Sequence, residues 1–233
     1  MHADQAKREP VVWPFARVWT SALLLILLFS SLNVGWVLDD AASSRRADLA
    51  SDASRVAFSL RKSFLMSLDG TPAERDRPEF GQIHRQLTSV ARIYSHWGGC
   101  YLLKRRPDGT VYFLDNIDLM NGRAIVQHGQ PYLDCPPEVA AVFDTGRAAV
   151  AGPYRNAFGS WITAASPVLD PVSGQVLAVF GVDISRREMQ RHLLRASLCS
   201  VSFTVAIAAV LVFWRWRSRA RSRRGEALGR LEV

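Results

Sequence analysis

Two long apolar segments, one near each end of the chain, constrain the fold more than any other feature of the sequence. They are residues 18–38 and 196–214, and neither contains a charged residue. Each has about the 20 apolar residues that a helix needs to cross a hydrocarbon core roughly 30 Å thick. Because lipid offers no hydrogen bonds, a backbone inside it must pair its own amides and carbonyls, as a helix does. The sequence therefore predicts two transmembrane helices with residues 39–195 folded between them.

The distribution of positive charge predicts the side of the membrane on which each part lies. Ten of the 29 Lys and Arg residues flank the outer ends of the two apolar segments: Lys7, Arg8, Arg17, Arg215, Arg217, Arg219, Arg221, Arg223, Arg224 and Arg230. Cytoplasmic flanks carry such an excess of cations, so residues 1–17 and 215–233 are predicted to be cytoplasmic and residues 39–195 extracytoplasmic. The remaining charges nearly balance. The pI of about 10.0 therefore reflects topology, and no nucleic-acid partner is expected.

The first apolar segment has a second interpretation, a cleaved signal peptide, because small residues follow it at Ala41, Ala42 and Ser43. Its apolar run is longer than the roughly 7–15 residues of a typical signal peptide. We therefore expect an uncleaved membrane anchor.

The hydrophobic period changes partway along the enclosed region. Apolar residues at three- and four-residue steps predict one long helix over residues 41–67 and a second over residues 80–94. Strands follow, and they are expected at residues 100–104, 111–114, 148–151, 158–168 and 175–184. The last of these is apolar on both faces, which predicts a central strand.

Two further segments complete the expected fold. Residues 116–136 have little periodicity and predict a loop of the functional or flexible kind. Residues 137–145 predict a short helix, with Pro137 in its first turn and Gly146 after its last. Two helices followed by five or so antiparallel strands, with helices on one face of the sheet, make an α+β fold.

Short motifs in the second half of the enclosed region resemble one protein family. They are GPY at 152–154, FGSW at 158–161, ASPVLDP at 165–171, SG at 173–174 and VFGVDI at 179–184. Together they resemble the C-terminal half of a Cache (PDC, PAS-like) extracytoplasmic sensor domain, over about residues 85–187. The resemblance implies a PAS-like antiparallel sheet with a long N-terminal helix, between two membrane spans. Such domains occur in bacterial sensor histidine kinases and diguanylate cyclases, which implies a location in the bacterial inner membrane.

The candidate ligand-binding residues are one acid and four aromatics. Asp183 closes an apolar strand, so its carboxylate lies either at an exposed end or beside a buried partner. The resemblance implies that it holds a ligand ammonium, whereas its position also suits the cap of the next helix. Tyr112, Tyr132, Tyr154 and Trp161 suit a small-molecule pocket because each has an apolar ring and a polar tip. The alternative for these four is core packing.

Cys100 and Cys135 present a choice that strand alternation makes explicit. If Cys100 faces the long loop and bonds Cys135, then Tyr101 must point to the opposite face of the sheet. An exported domain permits such a disulfide. We expect either this bridge or two unpaired thiols.

Other kinds of site are not indicated. The five histidines lack the spacing of zinc ligands, and the chain has no nucleophile elbow and no phosphate-binding loop. The sequence therefore indicates no metal, no cofactor and no catalytic domain.

Small residues recur at four-residue steps in the second apolar segment, at Ala196, Ser200, Thr204 and Ala208. Such a stripe lets two membrane helices approach closely, but ordinary small-residue content also produces it by chance.

These features together favour a homodimeric membrane receptor. We expect residues 39–195 to bind a small molecule outside the membrane and to pass the signal through the helix that runs from Ser185 into the second span. The output is cytoplasmic, in cis or in trans. One alternative is that the chain is the N-terminal fragment of a sensor histidine kinase or diguanylate cyclase. A second alternative is a membrane interaction protein without a ligand.

Overall fold

The computed structural model describes residues 13–118, 126–156 and 159–229. Its backbone divides into two compact units. The first combines Met1–Asp40 with Leu193–Val233, and the second is Ala41–His192. Two long helices, α1 (Trp13–Ser59) and α6 (Arg186–Gly229), each contribute to both units.

The first unit is helical and exposes its apolar side chains. Leu24, Phe29, Phe203 and Val210 are among the large hydrophobic residues that are more than half exposed. Both α1 and α6 are long and apolar enough to cross a membrane. Within this unit Ser30 Oγ donates a hydrogen bond to Thr204 Oγ1 at 3.1 Å. Thr204 belongs to the stripe of small residues, so one member of that stripe contacts the other helix of the same chain.

The helices of the second unit follow the predicted order with two differences. Besides the end of α1 they are α2 (Lys62–Met66), α3 (Pro78–Ile93), α4 (Pro137–Ala140) and α5 (Val142–Thr145), with a 3-10 turn at Pro72–Asp76. The helix predicted over residues 41–67 breaks after Ser59, because the backbone at Arg61 is extended (φ −75°, ψ 101°). The helix predicted over residues 137–145 is two short helices.

Five antiparallel strands form one sheet in the second unit. They are β1 (Gly99–Arg105), β2 (Val111–Asp118), β3 (Ala149–Asn156), β4 (Gly159–Leu169) and β5 (Val176–Ser185). The spatial order is β2-β1-β5-β4-β3, so β5 is central, as its apolar sequence predicts. Residues 41–192 are therefore an α+β domain with a PAS-like antiparallel sheet behind a long N-terminal helix, as expected from the resemblance.

The two faces of the sheet are covered by different elements. On one face, Ser166 of β4 donates a hydrogen bond to Ser54 of α1 at 3.1 Å. On the other face, Val139 of α4 and Val142 of α5 pack in a buried cluster with Val179 of β5. Helices therefore lie on both faces of the sheet, whereas the sequence predicted them on one. The second face also carries the candidate site.

The central strand continues directly into α6. β5 ends at Ser185 and α6 begins at Arg186. The Glu188 amide donates to Ser185 Oγ at 3.1 Å, so Ser185 supplies the side-chain cap of this helix. The capping alternative for Asp183 is thus wrong, and its carboxylate has other partners.

Candidate functional site

The centre of the site is the carboxylate of Asp183. In the sheet Asp183 lies between Gly99 of β1 and Thr163 of β4. The Tyr101 hydroxyl donates to Asp183 Oδ1 at 3.3 Å, and Thr163 Oγ1 donates to the same oxygen. Asp183 lines a cavity, and Oδ2 has no hydrogen bond to any residue in the described ranges. One carboxylate oxygen is therefore left for a ligand.

Burial makes this carboxylate costly to ionise. Desolvation raises the pKa of Asp183 to about 6, although the hydrogen bonds from Thr163 and Tyr101 act in the opposite direction. A buried charge is stabilised by a partner of opposite charge. The site thus holds a carboxylate that a cation entering the cavity would stabilise.

A row of hydroxyl groups leads away from Asp183. Thr163 Oγ1 accepts from the Tyr154 hydroxyl at 2.7 Å, and the Tyr154 and Tyr132 hydroxyls are 3.5 Å apart. Burial raises the pKa of Tyr154 to about 12 and also raises that of Tyr132. These phenols therefore keep their protons and act as donors toward the carboxylate. Hydrogen bonds arranged in a row polarise one another, which holds Asp183 Oδ1 in one position.

The cavity has a volume of about 180 Å³. On this measure one water molecule needs about 10–15 Å³, so the cavity suits a molecule of roughly a dozen non-hydrogen atoms. The side chains that line it are mostly aromatic or carry a carboxylate or amide: Tyr101, Phe113, Asn116, Asp118, Val126, Tyr132, Asn156, Trp161 and Asp183. The Asp183 carboxylate faces a space bounded by aromatic rings, and no described lining residue is Lys, Arg or His. Aromatic faces attract cations as carboxylates do, so both kinds of wall favour a positively charged ligand.

Two glycines make room for the aromatic walls. A Cβ on Gly181 would lie 2.1 Å from Tyr101 Cε2, and a Cβ on Gly98 would lie 2.4 Å from Trp161 Cζ3. The Tyr101 ring therefore lies flat over β5, and the Trp161 ring over the start of β1. The Trp161 indole also donates to Asn156 Oδ1 at 3.1 Å, which fixes its orientation.

Four of the five residues predicted from the sequence come together here. Asp183, Trp161 and Tyr132 line the cavity, and Tyr154 stands behind Thr163. Tyr112 does not join them. In the ladder it pairs with Lys104, on the opposite face of the sheet, where Arg106 lies 4.7 Å above its ring.

The sequence interpretation missed Tyr101, Phe113 and Thr163. Phe113 follows Tyr112 in β2, so strand alternation sends it to the face that Tyr112 leaves. Alternation also places Tyr101 and Cys100 on opposite faces of β1, and in the structure Tyr101 is the residue whose side chain faces the site. Thr163 had no signal in the sequence beyond its place in a strand, because only the register brings it beside Asp183.

The predicted bridge between Cys100 and Cys135 is not formed in the structure, where both thiols are free. Cys135 packs against the cluster that contains Tyr101, and Cys100 points to the other face of β1. Burial raises the pKa of Cys100 to about 12 and that of Cys135 to about 11. Both thiols are therefore protonated at neutral pH.

Metal chemistry has no support from the geometry. Within the described ranges no group of three or more His, Cys, Asp or Glu side chains is placed to hold a metal ion.

Comparisons with known proteins give similarities of structure. No family model and no curated protein matches the chain. The sensory domain of the Campylobacter jejuni chemoreceptor Tlp3 (CcmL) aligns at 14% identity and a TM-score of 0.48, over 76% of this chain and 66% of that one. The ligand-binding domain of the same chemoreceptor in complex with L-valine aligns at 14% identity and a TM-score of 0.46, over 78% and 68%. An extracellular ligand binding receptor from Desulfohalobium retbaense aligns at 12% identity and a TM-score of 0.45, over 70% and 27%. The aligned part is about two thirds of the chemoreceptor domains.

Proposed function

We propose that the protein is a membrane-anchored receptor that binds a small cationic molecule outside the bacterial inner membrane. The ligand ammonium group pairs with Asp183, and its apolar part contacts Tyr101, Phe113 and Trp161. The observation that carries the proposal is a half-buried carboxylate that lines an aromatic cavity and whose hydrogen bonds from described residues all go to one of its two oxygens.

The position of Asp183 supports a role in signalling. It lies in the central strand two residues before that strand ends, and α6 begins directly afterwards. A ligand that pulls on Asp183 acts on the strand that leads into the second apolar segment. A receptor responds in this way when its ligand favours one of two helix arrangements.

The anchoring part of the proposal rests on the first unit. It exposes many large apolar side chains, and a large exposed apolar surface is unfavourable in water. Two of its helical stretches are long and apolar enough to cross a membrane. We propose that the receptor is a homodimer and that its output is a cytoplasmic kinase or cyclase, either in the same polypeptide or in a partner.

Ligand binding is testable with small ammonium ions on the full-length protein in lipid nanodiscs. A panel of isobutylammonium, phenethylammonium, tetramethylammonium and choline should include ions that raise the melting temperature, because ligands of the native state stabilise it. Isobutanol, which has the size of isobutylammonium and no charge, should not. Asp183→Asn should weaken binding at least about tenfold, the effect of one charge-assisted hydrogen bond.

The matched control is Asp144→Asn, because Asp144 is an exposed acid paired with Arg105 at 2.7 Å. It should bind the ions as the wild type does. Affinity should also rise as the pH rises through about 6, since Asp183 must lose its proton to pair with a cation. If no ion of the panel binds, the protein is better explained as a membrane interaction protein without a ligand.

A further inference from the structure

The third strand contains a β-bulge beside the ligand site. In the ladder between β3 and β4, Ala151 pairs with Thr163, and the next pair is Tyr154 with Trp161. Residues 152–153 of β3 therefore lie opposite a single residue of β4. An extra residue of this kind bends the strand and shifts the alternation of the side chains that follow it by one position.

The bulge turns Tyr154 toward the site. Ala151 belongs to the buried cluster on the site face of the sheet. In a regular strand the third residue after it would point to the opposite face. Because the bulge adds one residue, Tyr154 packs against the same cluster, and its hydroxyl lies 2.7 Å from Thr163 Oγ1. Bulges beside functional sites re-aim side chains in this way. The row of hydroxyl groups that ends at Asp183 therefore depends on the bulge.

Arg46 of α1 binds the bulge from the opposite face of the sheet. Its Nη2 donates to the Gly152 carbonyl at 3.0 Å. The hydrogen bond between Ser54 and Ser166 places α1 on that face. From Arg46 to Ser54 a helix rises about 12 Å, and from Ile162 to Ser166 a strand rises about 13 Å. The packing of α1 along β4 thus brings Arg46 to the level of Ile162, which lies opposite the bulge.

The bond from Arg46 suits a carbonyl that the ladder leaves outside its register. Gly152 has no partner residue in the pairing of β3 with β4, and a backbone carbonyl withdrawn from water needs a donor. The guanidinium is always charged, so its hydrogen bond is stronger than one from a neutral donor. Gly152 has a φ of 101°, and a Cβ there would lie 2.7 Å from the Trp161 carbonyl oxygen. The bulge therefore requires glycine at this position and is held from α1.

We propose that Arg46 is a positioning residue for the ligand site: its bond to the Gly152 carbonyl fixes the bulge that aims Tyr154 at the row of hydroxyl groups. Loss of this bond lets the bulge relax, so the Tyr154 hydroxyl leaves Thr163 and the Asp183 carboxylate is held less firmly. The site is then joined to α6 through β5 and to α1 through Arg46. The ligand part of this inference rests on the proposed function.

Fluorine-19 spectra of the full-length protein in nanodiscs test the positioning role without a ligand. The chain has five tyrosines, so labelling with 3-fluorotyrosine gives few resonances, and Tyr154→Phe assigns that of Tyr154. Arg46→Met keeps the length of the side chain but removes its donors, and it should move the Tyr154 resonance. Arg46→Lys keeps a charged donor and should leave the resonance near its wild-type position. The matched control is Arg45→Met, because the Arg45 charge acts on His96; it should leave the Tyr154 resonance in place.

Binding of isobutylammonium supplies the functional readout. Arg46→Met and Tyr154→Phe should each weaken binding about fivefold, the effect of one ordinary hydrogen bond. If Arg46 acts through Tyr154, the double variant should bind about as weakly as either single variant, because residues of one network are not additive. Arg46→Lys should recover most of the affinity, and Arg45→Met should bind as the wild type does.

An Arg46→Met variant with the Tyr154 resonance and the affinity of the wild type would overturn the inference. So would losses that multiply in the double variant, since Arg46 would then act independently of Tyr154. If the resonance moves as expected but isobutylammonium and the other ammonium ions do not bind, the positioning role stands and the proposed function fails. If these ions bind but the resonance stays in place, the proposed function stands and the positioning role fails.

Discussion

Replacing Asp183 by asparagine should stabilise the empty protein at neutral and alkaline pH. The ordinary pKa of this carboxyl is 3.8, and burial raises it to about 6. An acid with a raised pKa favours folding while it is protonated and opposes folding once it is ionised. The cost of the wild-type carboxylate is therefore absent near pH 4 and develops fully above about pH 6.

The magnitude follows from the size of that shift. Two pKa units correspond to about 3 kcal/mol. This is an upper figure, because the cavity side of the carboxylate is open to water. The asparagine side chain of the variant cannot ionise, so the stability difference between Asp183→Asn and the wild type should be near zero at pH 4. It should rise toward about 3 kcal/mol at pH 8 in favour of the variant.

Urea titrations of the full-length protein in nanodiscs, at pH 4, 6 and 8, measure this difference through tryptophan fluorescence. Asp170 supplies a control of opposite sign, because hydrogen bonds from Ser173 and Val172 lower its pKa. Asp170→Asn should therefore lose stability at pH 8 relative to pH 4. An Asp183→Asn variant that is less stable than the wild type at pH 8, by a margin that grows with pH, would refute the reasoning. It would mean that the hydroxyl donors outweigh desolvation.

Two further predictions concern the wall of the cavity and the helix that follows it. Gly181→Ala should weaken ammonium binding at least about tenfold and destabilise the domain by about 1–3 kcal/mol, because its Cβ displaces the Tyr101 ring. Calorimetry checks this with Gly81→Ala as the control, since the nearest side-chain atom to a Cβ at Gly81 is 3.5 Å away. Equal ammonium affinities of the Gly181→Ala variant and the wild type would contradict the prediction. One residue inserted after Gln190 should rotate the following helix by about 100° and uncouple a fused kinase from the ligand. Seven inserted residues should largely restore the original helix face and the response of the kinase. Equal kinase activity with both insertions would show that α6 is no rigid transmitter.

The sequence predicts most of the sheet because its strands have distinctive patterns. The segment that becomes β5 is apolar at nearly every position, which only a strand covered on both faces requires. The helix over residues 80–94 repeats its apolar residues at helical spacing, and α3 (Pro78–Ile93) agrees with it within two residues. These elements can be predicted from local sequence patterns alone, without knowledge of tertiary contacts.

The sequence predictions were wrong where a tertiary contact decides which residue faces the cavity or where a helix ends. Nothing local distinguishes Tyr112 from Phe113 as the residue that faces the cavity; the register of β2 against β1, with its irregularity near Leu102, decides. The pairing of Asp183 with Thr163 depends in the same way on the register of β4 against β5. The break after Ser59 is equally invisible, because Leu60 continues the apolar pattern and is fully buried.

The ladder of hydrogen bonds around β5 stops at the residue before α6. Gly99–Leu103 hold β5 on one side, and Trp161–Leu169 hold it on the other. The last pair of the ladder joins Trp161 to Ser185, and the next residue is already helical. Both neighbouring strands therefore pair with β5 close to the residue where α6 begins. Ser185 is the last residue of β5 in the ladder, and its partner Trp161 also lines the cavity, so one pair of the sheet joins the cavity wall to the start of α6.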